Sequence, residues 1–177
     1  MTALQSIVAR KLDPTQHGVV SVTEFVTDGR RNVLPGSARL KGDARALTPE
    51  TNAAIETHMR QIANGIAKAH DVGINVAYDT VFPGVHNHRN AVAAAVHAAR
   101  SSAGASKVNA DCDPKLFSDD FAHMSNATPG CFMLIGNGTE GRAARPLHAS
   151  DYDFNDRILC NGAAWISTLA EQILAPD

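Results

Sequence analysis

Apolar residues recur along this chain with two different periods, and the points where the period changes mark its elements. Leu4, Ile7, Val8 and Leu12 are spaced as one helical face with no Ser, Thr, Asp or Asn cap leading into them, so the chain opens inside a helix. β-Branched residues crowd Val19 to Val26, which stops at Asp28-Gly29, and Ser37 to Arg45 alternates Ala38, Leu40, Gly42 and Ala44 with polar neighbours. These two runs are expected to pair antiparallel. Thr48 is placed as an N-cap, with Pro49 at the first helical position and Glu50 in the positive first turn; Ile55, Met59, Ile62, Ile66 and Ala69 then form one apolar stripe. After Gly73 the period falls to two, with Ile74, Val76, Tyr78, Thr80 and Phe82 on one face of a half-buried strand that Pro83-Gly84 ends.

Helix end, strand, strand, helix, strand is a β-α-β-β-α-β ferredoxin-like layer without its first strand, whose place would lie upstream of Met1. Beyond Pro83 the pattern predicts an Ala-rich helix from Asn90 to Ser102 stopped by Gly104, a short helix capped by Ser118, and a buried-type strand, CFMLIG, from Cys131. A helix from Asp156 to Leu174 closes the chain, its stripe of Leu159, Ile166, Leu169 and Ile173 needing a sheet or helix to cover it. There is no internal repeat or low-complexity tract. The fold class is therefore mixed: an α+β remnant of a ferredoxin-like layer over residues 1–83, then an α/β segment over residues 84–177 that also looks incomplete.

Charge and cysteine content narrow the partners. Sixteen Lys and Arg against eighteen Asp and Glu leave a net charge of -2, which gives no electrostatic drive towards nucleic acid or an anionic membrane. No run of apolar residues approaches the roughly 18 to 20 that a membrane span needs, and the opening has no signal-peptide pattern, so a cytoplasmic location is expected. Cys112, Cys131 and Cys160 are odd in number and lack CxxC spacing; they are expected to be buried, reduced thiols.

Few residues carry chemistry by themselves. His148 follows a Gly-rich stretch after the CFMLIG strand, and a loop at the carboxyl end of a strand is a common site position; its imidazole suits a metal, although a loop histidine with no task is the commoner case. Asp119-Asp120 could orient a metal-bound histidine, with helix capping the stronger reading. Asn32 sits in the turn between the first two strands, where Asn often serves backbone geometry. Arg45, at a strand end, has the fork that clamps a carboxylate, yet solvated strand-end arginines are more frequent. His86-Asn87-His88 is a weak metal signal just after a Pro-Gly turn. No P-loop, GxSxG or dinucleotide fingerprint occurs.

Taken in order, ALQSIVARKLDP, VVSVTEFVTDGRRNVLPGSARLKGDAR, a helix ending GIAKAH, SDDFAHM, PGCFMLIGNG and PLHASDYDFND resemble the carboxyl-terminal part of the aminoacylase-type metallopeptidases. Among these are the amidohydrolases of the hippurate hydrolase, N-acyl amino acid deacylase and auxin-conjugate hydrolase group. The resemblance covers nearly the whole chain. It implies a zinc-peptidase-like α/β catalytic domain with two divalent metals, Zn, Mn or Co, and an inserted ferredoxin-like lid or dimerisation domain. Residues 1–83 match the later part of the lid and 84–177 the return into the catalytic domain; the family's other ligands and its general base belong upstream. His148 matches the last metal ligand, in a Leu-His-Ser/Asn-Pro motif that reads Leu147-His148-Ala149-Ser150 here. Asn32 matches the asparagine of an Asn-Val-Ile-Pro motif and Arg45 the arginine of a Gly-Thr-Val-Arg strand, both implied to hold substrate. Asp119 stands where the family commonly has Glu, and Phe117 where it often has Gly.

The expectation is thus part of a metal-dependent amidohydrolase acting on N-acyl amino acids. In the complete enzyme the metals would lower the pKa of a water and polarise the amide while a carboxylate takes the proton. The chain alone is expected to be inactive and to form a homo-oligomer. The alternative is a non-catalytic dimerisation or binding module from a truncated gene.

Overall fold

The computed structural model describes residues 1–175. Two compact units share the chain: the first is Met1–Gly84 with Pro114–Asp119, and the second is Val85–Asp113 with the chain from Asp120 onward. The architecture is mixed α/β, and its only sheet among the described residues has two strands.

In the first unit, helix α1 (Thr2–Ser6) widens into a π turn, Ile7–Lys11, closed by Leu12 N–H donating to Ile7 O at 3.0 Å. Strands β1 (Gly18–Thr27) and β2 (Ala38–Ala46) pair antiparallel, as their alternation requires, with Val19 opposite Arg45 and Thr27 opposite Ala38. The register slips between Val22 and Glu24, a bulge that sharpens the local twist. Gly42 lies opposite Val22, where a Cβ would run into the carbonyl oxygen of Ser21, so only glycine lets the strands approach this closely. Helix α2 (Pro49–His70) begins as its sequence dictates: the Thr48 hydroxyl accepts from Thr51 N–H at 3.2 Å with Pro49 in the first turn. It ends at Asp71 in the left-handed region.

Ile7, Val20 and Ile55 form the buried centre of this unit, bordered by Leu4, Leu12, Ala44, Ala46, Met59, Ile62 and Tyr78. The segment Ile74–Phe82 runs extended along α2 but joins no ladder, contrary to the expected strand. Side chains hold it instead. Arg60 donates to Val76 O at 2.7 Å, the Tyr78 hydroxyl to Asn52 Oδ1 at 2.7 Å, and Asn52 Nδ2 to Thr80 Oγ1 at 2.9 Å. The side chains of Tyr78 and Thr80 therefore share the face towards α2, as period two requires, while the neighbouring strand that would complete a ladder is not among the described residues. Burial raises the Tyr78 phenol pKa, with Glu56 and Asp43 adding to the shift.

In the second unit, α3 (Arg89–Ala103) packs on α5 (Leu159–Leu174). Its small buried residues, Ala95, Val96, Ala98 and Ala99, permit a close approach, and the Trp165 indole N–H donates to Ala95 O at 3.1 Å. Gly104, at φ 90, ends α3 where the sequence placed a stop. The last helix starts later than expected: Asp156–Ile158 is a 3₁₀ turn capped by Asn155, and α5 follows. Ile166 and Ile173 of its stripe stay 59% and 63% exposed, because α3 meets the Trp165 side.

Three further expectations are corrected. The short helix α4 (Phe121–Ala127) is led in by Asp120, already helical at φ -71 and ψ -16, so Ser118 is not its cap. The CFMLIG run is extended without being a strand, and Leu134 and Ile135 are about half exposed. Its backbone is met by one amide group: Asn87 accepts from Phe132 N–H at 2.7 Å and donates to Phe132 O at 3.2 Å. Cys112 and Cys160 are exposed, and Cys131 is half-buried, its thiol pKa raised by burial; all three are free thiols.

Candidate functional site

Arg45 sits near the end of β2, where the strand leaves the hairpin towards Thr48. Its Nε pairs with the Asp43 carboxylate two residues back, on the same strand face, and its Nη1 donates to Leu116 O at 2.7 Å. Two donor positions are thus committed within the first unit, and Nη2 has no partner among the described residues. The side chain is 41% exposed. The protein thus fixes the plane of the guanidinium through Nε and Nη1 and leaves Nη2 to meet a ligand carboxylate.

Asn32 occupies the exposed turn joining β1 and β2, inside a four-residue loop closed by Val33 N–H to Arg30 O at 3.0 Å and Arg30 N–H to Val33 O at 3.2 Å. The base of this connection is fixed by Asp28, whose carboxylate accepts from Ser37 N–H at 3.0 Å and pairs with Ser37 Oγ at 3.1 Å. The Ser37 amide is the main reason the Asp28 pKa lies below its ordinary value. Arg45 stands seven positions along β2 from Ala38, the strand end beside this turn. At about 3.3 Å per residue, one hairpin keeps Asn32 and Arg45 roughly 20 Å apart. The structure therefore does not bring these two side chains of one chain together.

His148 belongs to the second unit, in a long loop between the CFMLIG segment and α5. Both Pro146–Ala149 and Ala149–Tyr152 are turns, with Ala149 N–H to Pro146 O at 3.2 Å and Tyr152 N–H to Ala149 O at 3.0 Å. His148 has φ 71, a left-handed conformation that a residue with a Cβ seldom adopts. It is exposed, and its ring makes no hydrogen bond among the described residues. As one metal ligand the imidazole fits. As a complete centre the chain does not: among the described residues no group of three or more His, Cys, Asp or Glu could hold a metal ion. His86 and His88 belong to no such group among the described residues, and Asn87 between them is bonded to the backbone of Phe132.

Two residues that pattern reading passed over shape this loop. Asn137 and Asn155, both half-buried, join its ends through reciprocal side-chain and backbone hydrogen bonds. The available signal was modest: an Asn inside a Gly-rich turn and an Asn just before a helix.

Comparison with known proteins fixes the family. The model of peptidase family M20/M25/M40 matches residues 8–172, and the chain belongs to that family. It is 32% identical to the hippurate hydrolase of Campylobacter jejuni over 174 residues, covering 98% of this chain and 44% of that protein. To the N-acetylcysteine deacetylase of Bacillus subtilis it is 33% identical over 175 residues, with the same coverages of 98% and 44%. A crystal structure of a candidate aminohydrolase from methicillin-resistant Staphylococcus aureus superposes with a TM-score of 0.76 at 26% identity, over 96% of this chain and 42% of that one. The chain thus spans less than half the length of the relatives it matches. Among the described residues no helix is long and apolar enough to cross a membrane.

Proposed function

We propose that this chain is the carboxyl-terminal part of a metal-dependent amidohydrolase that cleaves the amide bond of N-acyl amino acids, with the first unit as part of its lid and the second as the end of its catalytic domain. The observation that carries this reading is the match of 98% of the chain to two relatives named for hydrolysing hippurate and deacetylating N-acetylcysteine. Both names describe a small acyl group on an amino acid whose carboxylate stays free. Arg45, oriented by Asp43 and Leu116 with Nη2 left over, is suited to that carboxylate. Asn32 offers an amide that can donate to or accept from the acyl-amide group. His148 offers a single metal ligand, and the remaining ligands and the base come from residues outside this chain.

The roughly 20 Å between Asn32 and Arg45 exceeds the length of such a substrate. If both hold it, they come from different copies, which agrees with a homo-oligomer. In the complete enzyme, Arg45→Lys should lower kcat/KM about tenfold or more, since a lysine keeps the charge but loses the fork; unchanged kinetics would remove Arg45 from the site. A non-catalytic binding module is the second reading, favoured by the absence of a metal-holding cluster among the described residues. A complete enzyme whose turnover is abolished by His148→Ala excludes it.

A further inference from the structure

The loop that carries His148 has an unusual closure. Asn137 Nδ2 donates to two carbonyl oxygens of the loop, Ala143 at 3.0 Å and Asp153 at 2.9 Å, while its Oδ1 accepts from Asn155 N–H at 2.9 Å. Asn155 returns the contact: its Nδ2 donates to Asn137 O at 2.8 Å, and its Oδ1 accepts from Arg157 N–H at 3.3 Å at the start of the last helical segment. One side chain thus ties the entrance, the middle and the exit of the loop, and the other ties its exit to a helix.

The loop's other polar contacts are weaker anchors. Arg145–Asp151 at 2.9 Å and Arg142–Asp153 at 3.9 Å are exposed ion pairs, which water and salt screen. Gly138, at φ 142, comes so close to Ala143 that an added Cβ would lie 2.8 Å from the Ala143 Cβ, so this close turn needs glycine. At the far side His148 has φ 71. A strained backbone of this kind persists only where its surroundings over-determine it, and such residues gather at functional sites.

We propose that Asn137 and Asn155 are positioning residues: a paired-amide clasp that closes the Gly138–Phe154 loop and thereby fixes the backbone and direction of His148. The assignment takes its purpose from the reading of His148 as a metal ligand, but its geometry is independent of that reading. Asparagine suits the task because one terminal group both donates twice and accepts. Aspartate at either position keeps an acceptor and loses the donors.

The test uses the 177-residue chain labelled with ¹³C-histidine, His148 being assigned by His148→Gln, together with trypsin cleavage after Arg142 followed by mass spectrometry. Trp165, the single tryptophan, reports through its fluorescence whether α3 and α5 remain packed. In Asn137→Ala, three lost hydrogen bonds should raise cleavage in the loop by about tenfold to a hundredfold and move the His148 ring signals to the position of a disordered histidine, with Trp165 unchanged. Should Asn137→Ala disturb Trp165, Asn155→Asp decides. It retains the oxygen that caps Arg157 and replaces the donor to Asn137 O with a carboxylate oxygen that repels it, so cleavage should rise several-fold while the helix stays formed. Cleavage within twofold of the unmodified chain and an unmoved His148 signal in a folded variant would overturn the clasp. The ligand reading is tested separately: if His148→Ala leaves zinc retention of the complete enzyme unchanged, that reading fails, whatever the loop does.

Discussion

Ile55→Ala should cripple the first unit, and the size of the effect follows from how little core that unit has. Ile55 is 0% exposed and forms the buried centre with Ile7, also 0%, and Val20 at 7%. The substitution removes three carbons, worth about 0.8 kcal/mol each in transfer free energy, and leaves a cavity between a helix and a two-stranded sheet. A loss of about 2 to 5 kcal/mol is expected. A unit of about 90 residues has roughly 5 to 13 kcal/mol in total, so between about 15% of its stability and all of it disappears. Ile55→Val, removing one carbon, should cost only about 0.5 to 1.5 kcal/mol. Urea unfolding followed by amide exchange in β1 and β2 measures both variants in the unit concerned, while Trp165 fluorescence should report an unchanged second unit. If Ile55→Ala costs less than about 1 kcal/mol, or no more than Ile55→Val, the core does not lie where we place it.

The other expected outcomes concern charge, thiols and association. Because Ser37 lowers the Asp28 pKa, this carboxylate stabilises the fold at neutral pH, and that contribution is lost as pH falls through the lowered value. Carboxyl ¹³C titration should give Asp28 a midpoint below that of a free aspartate, and a midpoint at or above it refutes the Ser37 contact. Of the three cysteines, Cys112 and Cys160 should react quickly with a thiol reagent at pH 8 and Cys131 slowly, burial having raised its pKa; three equal rates contradict the structure. The exposed Ile166 and Ile173 on α5 should make the purified chain self-associate, and Ile166→Glu with Ile173→Glu should reduce this in sedimentation. A wild-type chain that sediments as a monomer at high concentration contradicts it.

Local signals were legible in the sequence, and signals that depend on a neighbour were not. The hairpin, the Thr48 cap, the Pro49 start and the Gly104 stop rest on backbone chemistry within a few residues, and each appears where its residues require. Ile74–Phe82 has strand periodicity and CFMLIG the continuous apolar run of a buried strand, but a strand exists only where another backbone accepts its hydrogen bonds, and side chains take that role here. Cysteine burial was misjudged for the same reason: composition favours a buried thiol, while exposure depends on what packs over it. The candidate residues His148, Arg45 and Asn32 were reached through ordered motifs. The Asn137–Asn155 clasp needed coordinates, because it links positions distant in sequence.

The central claim is that these residues serve an N-acyl amino acid amidohydrolase whose remaining ligands lie outside the chain. Its most direct test is hydrolysis of N-benzoylglycine and N-acetyl amino acids with Zn²⁺, Mn²⁺ or Co²⁺, by the 177-residue chain alone and by the chain supplied with an amino-terminal half of the family. The account predicts no turnover by the chain alone and metal-dependent turnover by the combination, abolished by His148→Ala. Turnover by the chain alone, or activity of the combination indifferent to His148→Ala, would contradict it.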